Sequence, residues 1–371
     1  MSLEHCRHTS FFEDKSILVE KMSTFNDLCP DILLEIFSYF SLNELFNIFI
    51  ELIPHMPKLI AQGHVKVCID KNANEQFWKN YLTKIDHNQI IALNIFYSKI
   101  KEINLKEFPY INSMIIEDFR MHSIDQLNHL MYLQRLSLKL SNTILNENIW
   151  LSHIIQLPVL KYLKIDFMSK INTILPQRDI QITRLPIQSL TIKHLRIQIP
   201  LQWSSIISLL HHFPCLQTFH AYLYRIRSNP NDILLSKPNL TCFQSLKILH
   251  LTGYFPSMSS IIINFCSSIL NLKICRLMST SATNDNLFRL IKFRKNFIWN
   301  HLFQTSEYLI HVKIHLLISI DSQKYNDIDY LKDRLHLFNN QEFCKQYHLH
   351  IIQTSMHNGY LTLICDFNKS G

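Results

Sequence analysis

The chain has 371 residues, of which 47% are hydrophobic and 18% charged, and its formal net charge is +8. This length suits a small domain followed by a larger repeat array, and the apolar fraction is sufficient for a large core. Glycine occurs only 4 times, with neither a G-x-G-x-x-G nor a G-x-x-x-x-G-K-[ST] motif, which argues against a nucleotide site built on a glycine-rich loop.

The cysteines indicate reduced thiols. They are widely spaced and form no C-x-x-C pair, so we predict neither a disulfide framework nor a closed zinc site. Residues 1–22 are interrupted by charges, which predicts a flexible segment and not a signal peptide. No uncharged apolar run reaches the length of a membrane span. We therefore expect a cytoplasmic or nuclear protein, with no membrane association, no metal and no cofactor.

A small helical unit is predicted over residues 25–62. Pro30 and Asp31 suit the first turn of a helix, and apolar residues follow at helical spacing. The segment from Ser41 to Glu44 has the pattern of a capping box, which predicts the start of a second helix. A third short helix completes the unit. Three short helices bury little surface by themselves, so this unit needs a partner or the rest of the chain to cover it.

Residues 28–45 of this unit read LCPDILLEIFSYFSLNEL. This order of leucine, acid, Ile-Leu, Ile-Phe, tyrosine and Glu-Leu resembles the start of an F-box. Cys29 stands where the family usually has proline, and Phe40 where it usually has leucine. The resemblance implies that the unit binds a Skp-type adaptor and, through it, a cullin–RING module. Carried over by position, the implied adaptor-binding set is Leu28, Pro30, Ile32, Leu33, Ile36, Phe37 and Leu45.

From about residue 90 the chain repeats the pattern apolar-x-x-apolar-x-apolar. The predicted central residues are Leu93, Met114, Leu136, Leu163, Leu190, Phe219, Leu249, Leu272 and Val312. All spacings except the last lie at or near the range of about 20–29 residues that is typical of leucine-rich repeats. A similar triplet at Ile100, Ile103 and Leu105 lies too close to the next repeat, so we interpret it as an intervening helix.

Proline and turn residues mark where the repeats begin and end. Pro109, Pro158 and Pro214 each lie five residues before a central position, where proline ends a helix and directs the chain into the next strand. Near the end of the chain, two alternating segments flank Asn358-Gly359, which predicts a β-hairpin. With a helix at about 326–338, this hairpin is expected to cap the repeats.

The predicted fold class is α/β (α+β overall), with an N-terminal three-helix F-box followed by an irregular leucine-rich-repeat solenoid. The predicted domains are a flexible segment at 1–22, the F-box at 23–66, the solenoid at 67–320, and a C-terminal helix and hairpin cap at 321–371.

The repeats also predict a binding face. Because strand side chains alternate, the residue after each inward central residue faces the concave surface. The candidates for substrate binding are Lys164, His220, His250, Lys273 and Lys313, and Ser137 and Thr191 share their row. Such a basic face favours an acidic or phosphorylated partner. The alternative is that exposed lysines on strands only discourage aggregation.

These patterns predict a non-catalytic substrate receptor of a cullin–RING (SCF-type) ubiquitin ligase, in which the repeats recruit a target protein. One alternative is a leucine-rich-repeat scaffold outside a ligase. Another is a nucleic-acid-binding protein, which the net charge permits, although no helix-turn-helix, RRM or zinc-finger pattern occurs. No G-x-S-x-G motif or other catalytic signature is present.

Overall fold

The fold is taken from a computed structural model and divides into two compact units, Met1–Ile115 and Ile116–Gly371. The structure describes residues 28–40, 44–45, 48, 65–69, 86–100, 103–119, 125–140, 149–167, 188–223, 243–253, 265–266, 269–282, 311–319, 349–357 and 360–368. The domain boundaries predicted from the sequence stay predictions. The third helix predicted for the N-terminal unit, the helix predicted at about 326–338 and the Asn358-Gly359 turn lie outside the described residues.

The first unit contains helix α1, Pro30–Ser38. It begins where the sequence predicts, with proline and Asp31 in the first turn, where a missing N–H and a negative charge are both tolerated. The Leu33 N–H donates to the Cys29 carbonyl at 3.1 Å and so closes this turn. Leu33 and Phe37 lie four residues apart and are both buried. Of the second predicted helix the structure describes Glu44, Leu45 and Ile48, all helical.

Strands β1 (Val65–Ile69) and β2 (Ile90–Phe96) of this unit pair in parallel, with Val67 opposite Leu93. The sequence pattern missed β1, because His64 occupies the first apolar place of the template. After β2 the chain forms the short helix α2 (Tyr97–Ile100) and a 3-10 turn at Leu105–Glu107. The buried triplet of Ile100, Ile103 and Leu105 lies in this connection, which confirms that it is not a strand of its own.

The second unit is built on a parallel sheet. β3 (Ser113–Phe119) contains the boundary between the units, and the strands that follow are β4 (Arg135–Leu140), β5 (Tyr162–Phe167), β6 (His194–Leu201), β7 (Thr218–Leu223), β8 (Ile248–Gly253), β9 (Ile274–Ala282) and β10 (His311–Ser319). Each strand from β4 to β10 pairs in parallel with the next. In its described part the unit has few helices, α3 (Ile149–Ile155) and α4 (Trp203–His212) among the connections. This repeat-like parallel sheet resembles a leucine-rich-repeat solenoid.

An antiparallel hairpin follows the parallel series. β11 (Leu349–His357) and β12 (Tyr360–Asn368) pair with each other, and His357 lies opposite Tyr360. β12 also pairs antiparallel with β10, so the strand order here is β10-β12-β11. The predicted hairpin is confirmed, and it extends the sheet beyond the last parallel strand.

The strand pairing aligns one central apolar residue per strand. The aligned column is Leu136, Leu163, Leu195, Phe219, Leu249, Cys275 and Val312. Its members from Leu136 to Cys275 are at most 1% exposed. Stacking such residues from strand to strand gives the repeats one continuous core.

Two predicted central residues were wrong. Leu195 takes the place of Leu190, which is 68% exposed, and Cys275 takes the place of Leu272, which is buried before β9 begins. The apolar template fits again five residues later in the first segment and, with cysteine as the central residue, three residues later in the second. Only the pairing with neighbouring strands selects between the two positions. Buried cysteine behaves as a small apolar side chain, and the Cys275 sulfur lies 3.7 Å from that of Cys266.

A recurring pair of backbone hydrogen bonds lies at the start of strands β5 to β9. The N–H groups of Lys161 and Tyr162 both donate to the Gln134 carbonyl at 2.9 Å. The same arrangement joins residues 193 and 194 to 161, residues 217 and 218 to 193, residues 247 and 248 to 217, and residues 273 and 274 to 247, at 2.8 to 3.0 Å. The accepting carbonyl always lies two residues before the central residue of its strand. This repetition supports the corrected column independently of burial.

The corrected column yields a direct stability test. Leu195→Ala removes a fully buried side chain and is expected to lower the free energy of unfolding by about 2–5 kcal/mol. Leu190→Ala, at the exposed position, is expected to change it by less than about 0.5 kcal/mol. Denaturant unfolding of the two variants measures both values. A larger loss for Leu190→Ala than for Leu195→Ala would contradict the register of β6.

Candidate functional site

The outward face of the second unit carries an aligned row of basic residues. In each strand the residue after the central one lies on the opposite face from the core, because strand side chains alternate. The registers place in one line Ser137, Lys164, Arg196, His220, His250, Arg276 and Lys313. We call its middle four residues, Arg196, His220, His250 and Arg276, the basic row.

The structure brings together most of the substrate-binding residues predicted from the sequence. Lys164, His220, His250 and Lys313 hold the register positions expected of them. Lys273 does not, because Arg276 pairs with His250, and Lys273 lies before β9 with its N–H donating to the Lys247 carbonyl.

Thr191 was also misplaced in the predicted row. It lies before β6, and its hydroxyl is 3.4 Å from that of Ser189. Arg196 holds the row position in β6 instead, opposite Lys164 on one side and His220 on the other. Both corrections follow from the shifted central residues, and they replace a threonine and a lysine of the prediction with two arginines.

The two histidines of the basic row contact each other. The ring centroids of His220 and His250 are 4.0 Å apart and the rings are tilted by 43°. Burial lowers the pKa of His220, and the charges of Arg196 and Arg276 lower it further. Burial, then the neighbouring His220 and both arginines, lower the pKa of His250 to about 4. At neutral pH the basic row is therefore a neutral imidazole pair between two permanent cations.

Acidic side chains neutralise one end of this face. The Lys164 ammonium lies 3.2 Å from Asp166 Oδ2. In the amide orientation that satisfies both neighbours, Gln198 donates to the same Asp166 oxygen at 2.7 Å and accepts from the Arg196 guanidinium at 2.9 Å. On the preceding strands Lys139 pairs with Glu117. At the β3–β6 end of the face, two of the lysines are thus paired with carboxylates.

Toward the other end of the face, strands β7 to β9 carry no acidic residue, and the next carboxylate along the line is Asp366 of β12, opposite Lys313. The outward neighbours of the two histidines on β7 and β8 are uncharged: Thr218, Tyr222, Ile248 and Thr252. Among the residues that the structure describes, no carboxylate lies within ion-pair distance of Arg276, which is exposed. This end is therefore suited to an anion supplied by a partner.

A second basic cluster borders the sheet where β4 to β6 begin. Burial lowers the pKa of His194, and the charges of Lys193 and Arg135 lower it further. The His194 ring lies 6.3 Å from that of Tyr162. The sequence pattern missed His194, because the template centred on Leu190 ends at Ile192.

The predicted adaptor-binding set divides between core and surface. Leu33, Phe37 and Leu45 are buried within the chain, whereas Leu28 and Ile36 are half-buried and Pro30 begins α1. Ile32 is 48% exposed, and Tyr39 just after the helix is 79% exposed. The exposed apolar surface at α1 is centred on these last two residues.

Two kinds of feature are absent from the described part of the chain. No group of three histidine, cysteine or acidic side chains there is arranged to hold a metal ion. No helix in the same residues combines the length and apolarity needed to cross a membrane.

Comparison with protein-family models finds no match, and comparison with curated protein sequences finds none either. Among solved structures, the chain is similar to an internalin (inlF) from Listeria monocytogenes str. 4b F2365, known from a crystal structure. The similarity covers 63% of this chain and 79% of that chain, with 12% sequence identity and a TM-score of 0.29. The repeat-like fold described above is established by the strand registers and not by this similarity.

The lowered pKa of His250 predicts a pH-dependent stability. Unfolding returns this pKa from about 4 to its ordinary 6.5, so the unfolded chain binds the proton first. Stability is therefore expected to fall as the pH drops from about 6.5 toward about 4, and His250→Gln should reduce this loss. Thermal unfolding across that pH window measures it.

The matched control for this measurement is His129→Gln, which replaces an exposed histidine outside the basic row. This variant is expected to keep the pH dependence of the wild type. An undiminished pH dependence in His250→Gln would contradict the role given to burial of the histidine pair.

Proposed function

We propose that this chain is a non-catalytic, protein-binding repeat scaffold that recruits an acidic partner on the outward face of its parallel sheet. The observation that carries the proposal is the basic row, four in-register residues with neutral surroundings on β7 and β8. A row of side chains on an open sheet suits a broad protein surface better than a small molecule, which needs a concave pocket.

The chemistry of the row favours carboxylate or phosphate groups. Arginine presents a planar fork of donors that binds such groups through two parallel hydrogen bonds. Arg276 is exposed, and Arg196 has only one described contact, with Gln198, so both retain free donors within the described structure. The net charge of +8 adds a long-range attraction for acidic partners.

We further propose that the scaffold is the substrate receptor of an SCF-type ubiquitin ligase. This proposal is supported by the F-box-like order of residues 28–45 and by the exposed Ile32 on α1. In this role α1 docks on a Skp-type adaptor while the sheet holds the target. The receptor performs no covalent chemistry; it raises the effective concentration of the E2-bound ubiquitin near the lysines of the target.

The alternatives share parts of this proposal. A scaffold outside a ligase would use the same sheet face without the adaptor. Nucleic-acid binding is less favoured, because phosphate backbones are bound by tracks of lysine and arginine. The centre of the basic row is instead a neutral histidine pair, and Asp166 lies on β5, next to its β6 end.

Adaptor binding tests the ligase proposal. The purified chain is expected to capture a Skp-type adaptor, and Ile32→Glu is expected to weaken this binding at least about fivefold, because a buried apolar anchor commonly contributes about 1 kcal/mol or more. Titration calorimetry of wild type and variant measures the loss.

The matched control is Leu190→Glu, the same kind of charge insertion at an exposed apolar residue of the other unit. It should leave adaptor binding unchanged, with circular dichroism confirming that both variants fold. Folded wild type that fails to bind the adaptor would contradict the ligase role and leave the scaffold as the proposed function.

A further inference from the structure

The basic row has a defined length. Arg196 and Arg276 lie on β6 and β9, and the intervening register positions are His220 and His250. Adjacent strands are about 4.8 Å apart, so three strand steps place the two arginine Cα atoms about 14 Å from each other. The row is therefore a pair of cations at a fixed separation with two half-buried rings between them.

An extended peptide matches this separation at one spacing. Its residues rise about 3.3 Å each, so side chains at positions i and i+4 point to the same side about 13 Å apart. Side chains at i and i+2 are only about 7 Å apart and reach a single arginine.

From this match we infer that the basic row binds an extended acidic segment of a partner protein, laid across β6 to β9. Its two acidic side chains, at positions i and i+4, contact Arg196 and Arg276, and the side chain of the middle residue, i+2, lies over His220 and His250. The inference rests on the proposed role as a protein-binding scaffold, to which it adds the class and spacing of the ligand.

The surroundings of the row restrict where the acidic side chains can lie. Beyond Arg196, Asp166 receives Lys164 and Gln198, so a further anion there meets a carboxylate. At the other end, the described residues offer Arg276 no carboxylate of their own. The face thus favours an acidic pair over β6–β9 and disfavours an uninterrupted polyanion.

The two half-buried rings favour a residue without negative charge between the acidic pair. With their pKa values lowered, His220 and His250 are neutral at pH 7 and offer ring surface and hydrogen-bonding nitrogens. The charged groups that face them are Arg196 and Arg276, from the strands on either side. Both arginines are then available to the acidic side chains that flank this residue.

The test uses fluorescent peptides of equal charge and composition that differ only in the spacing of two aspartates, i and i+4 against i and i+2. We expect the full-length chain to bind the i, i+4 peptide about tenfold more tightly by fluorescence anisotropy, a factor that corresponds to about 1.4 kcal/mol. Arg276→Glu should abolish this preference, and a peptide with lysine at i+4 should then bind Arg276→Glu better than it binds wild type.

Lys273→Glu is the matched control, since it makes the same type of charge reversal on an exposed residue outside the row. It should retain the preference for the i, i+4 peptide. Equal binding of both spacings, or an equal loss in Lys273→Glu, would overturn the inference while leaving an acidic-partner scaffold in place.

Two further outcomes separate this inference from the proposed function. Tight binding of single-stranded DNA, with no binding of either peptide, would overturn both the inference and the protein-binding role. Adaptor binding without any peptide binding would overturn the inference alone, because the adaptor contacts α1 and not the sheet face.

Discussion

The alignment of each strand with the next is the constraint on which the rest of the second unit depends. At the starts of β5 to β9, two N–H groups share one carbonyl of the preceding repeat, as Lys161 and Tyr162 do with Gln134. Because side chains alternate, a slip of one residue would exchange the core face for the outward face. The buried column and the basic row are therefore two consequences of the same hydrogen bonds, and any error in register alters both together.

The electrostatic character of the outward face follows from what each strand places beside the row. On β5 and β6, Asp166 and Gln198 engage the neighbouring cations, whereas β7 and β8 contribute only uncharged neighbours. Half-buried histidines next to arginines lose their charge before the arginines do, since guanidinium remains protonated in proteins. The result is fixed charge at two points and neutral rings between them, a pattern that favours a spaced pair of anions.

Sequence reasoning succeeded where local chemistry determines structure. It located the start of α1 at Pro30, the hairpin around Asn358-Gly359 and the turns that contain proline five residues before a central position. It failed where the position five residues before the central residue is apolar. Leu190 holds this position before Leu195, and it completes a false copy of the template. It also passed over Cys275, a central residue that is not aliphatic. Only pairing with strands that are adjacent in the sheet but distant in the sequence separates these alternatives. Arg196 and Arg276 were therefore not predictable as members of the row.

The alignment of Arg196 with His220 and His250 is tested most directly by building a metal site on it. Arg196→His would place three imidazoles on adjacent strands, at spacings of about 4.8 Å, within reach of one Zn²⁺. Calorimetry is predicted to show Zn²⁺ binding at least about tenfold tighter than in wild type, because neutral imidazole is the form that binds metal. Thr191→His, at the position the sequence pattern favoured, should show no gain. Tighter binding in Thr191→His than in Arg196→His would contradict the row.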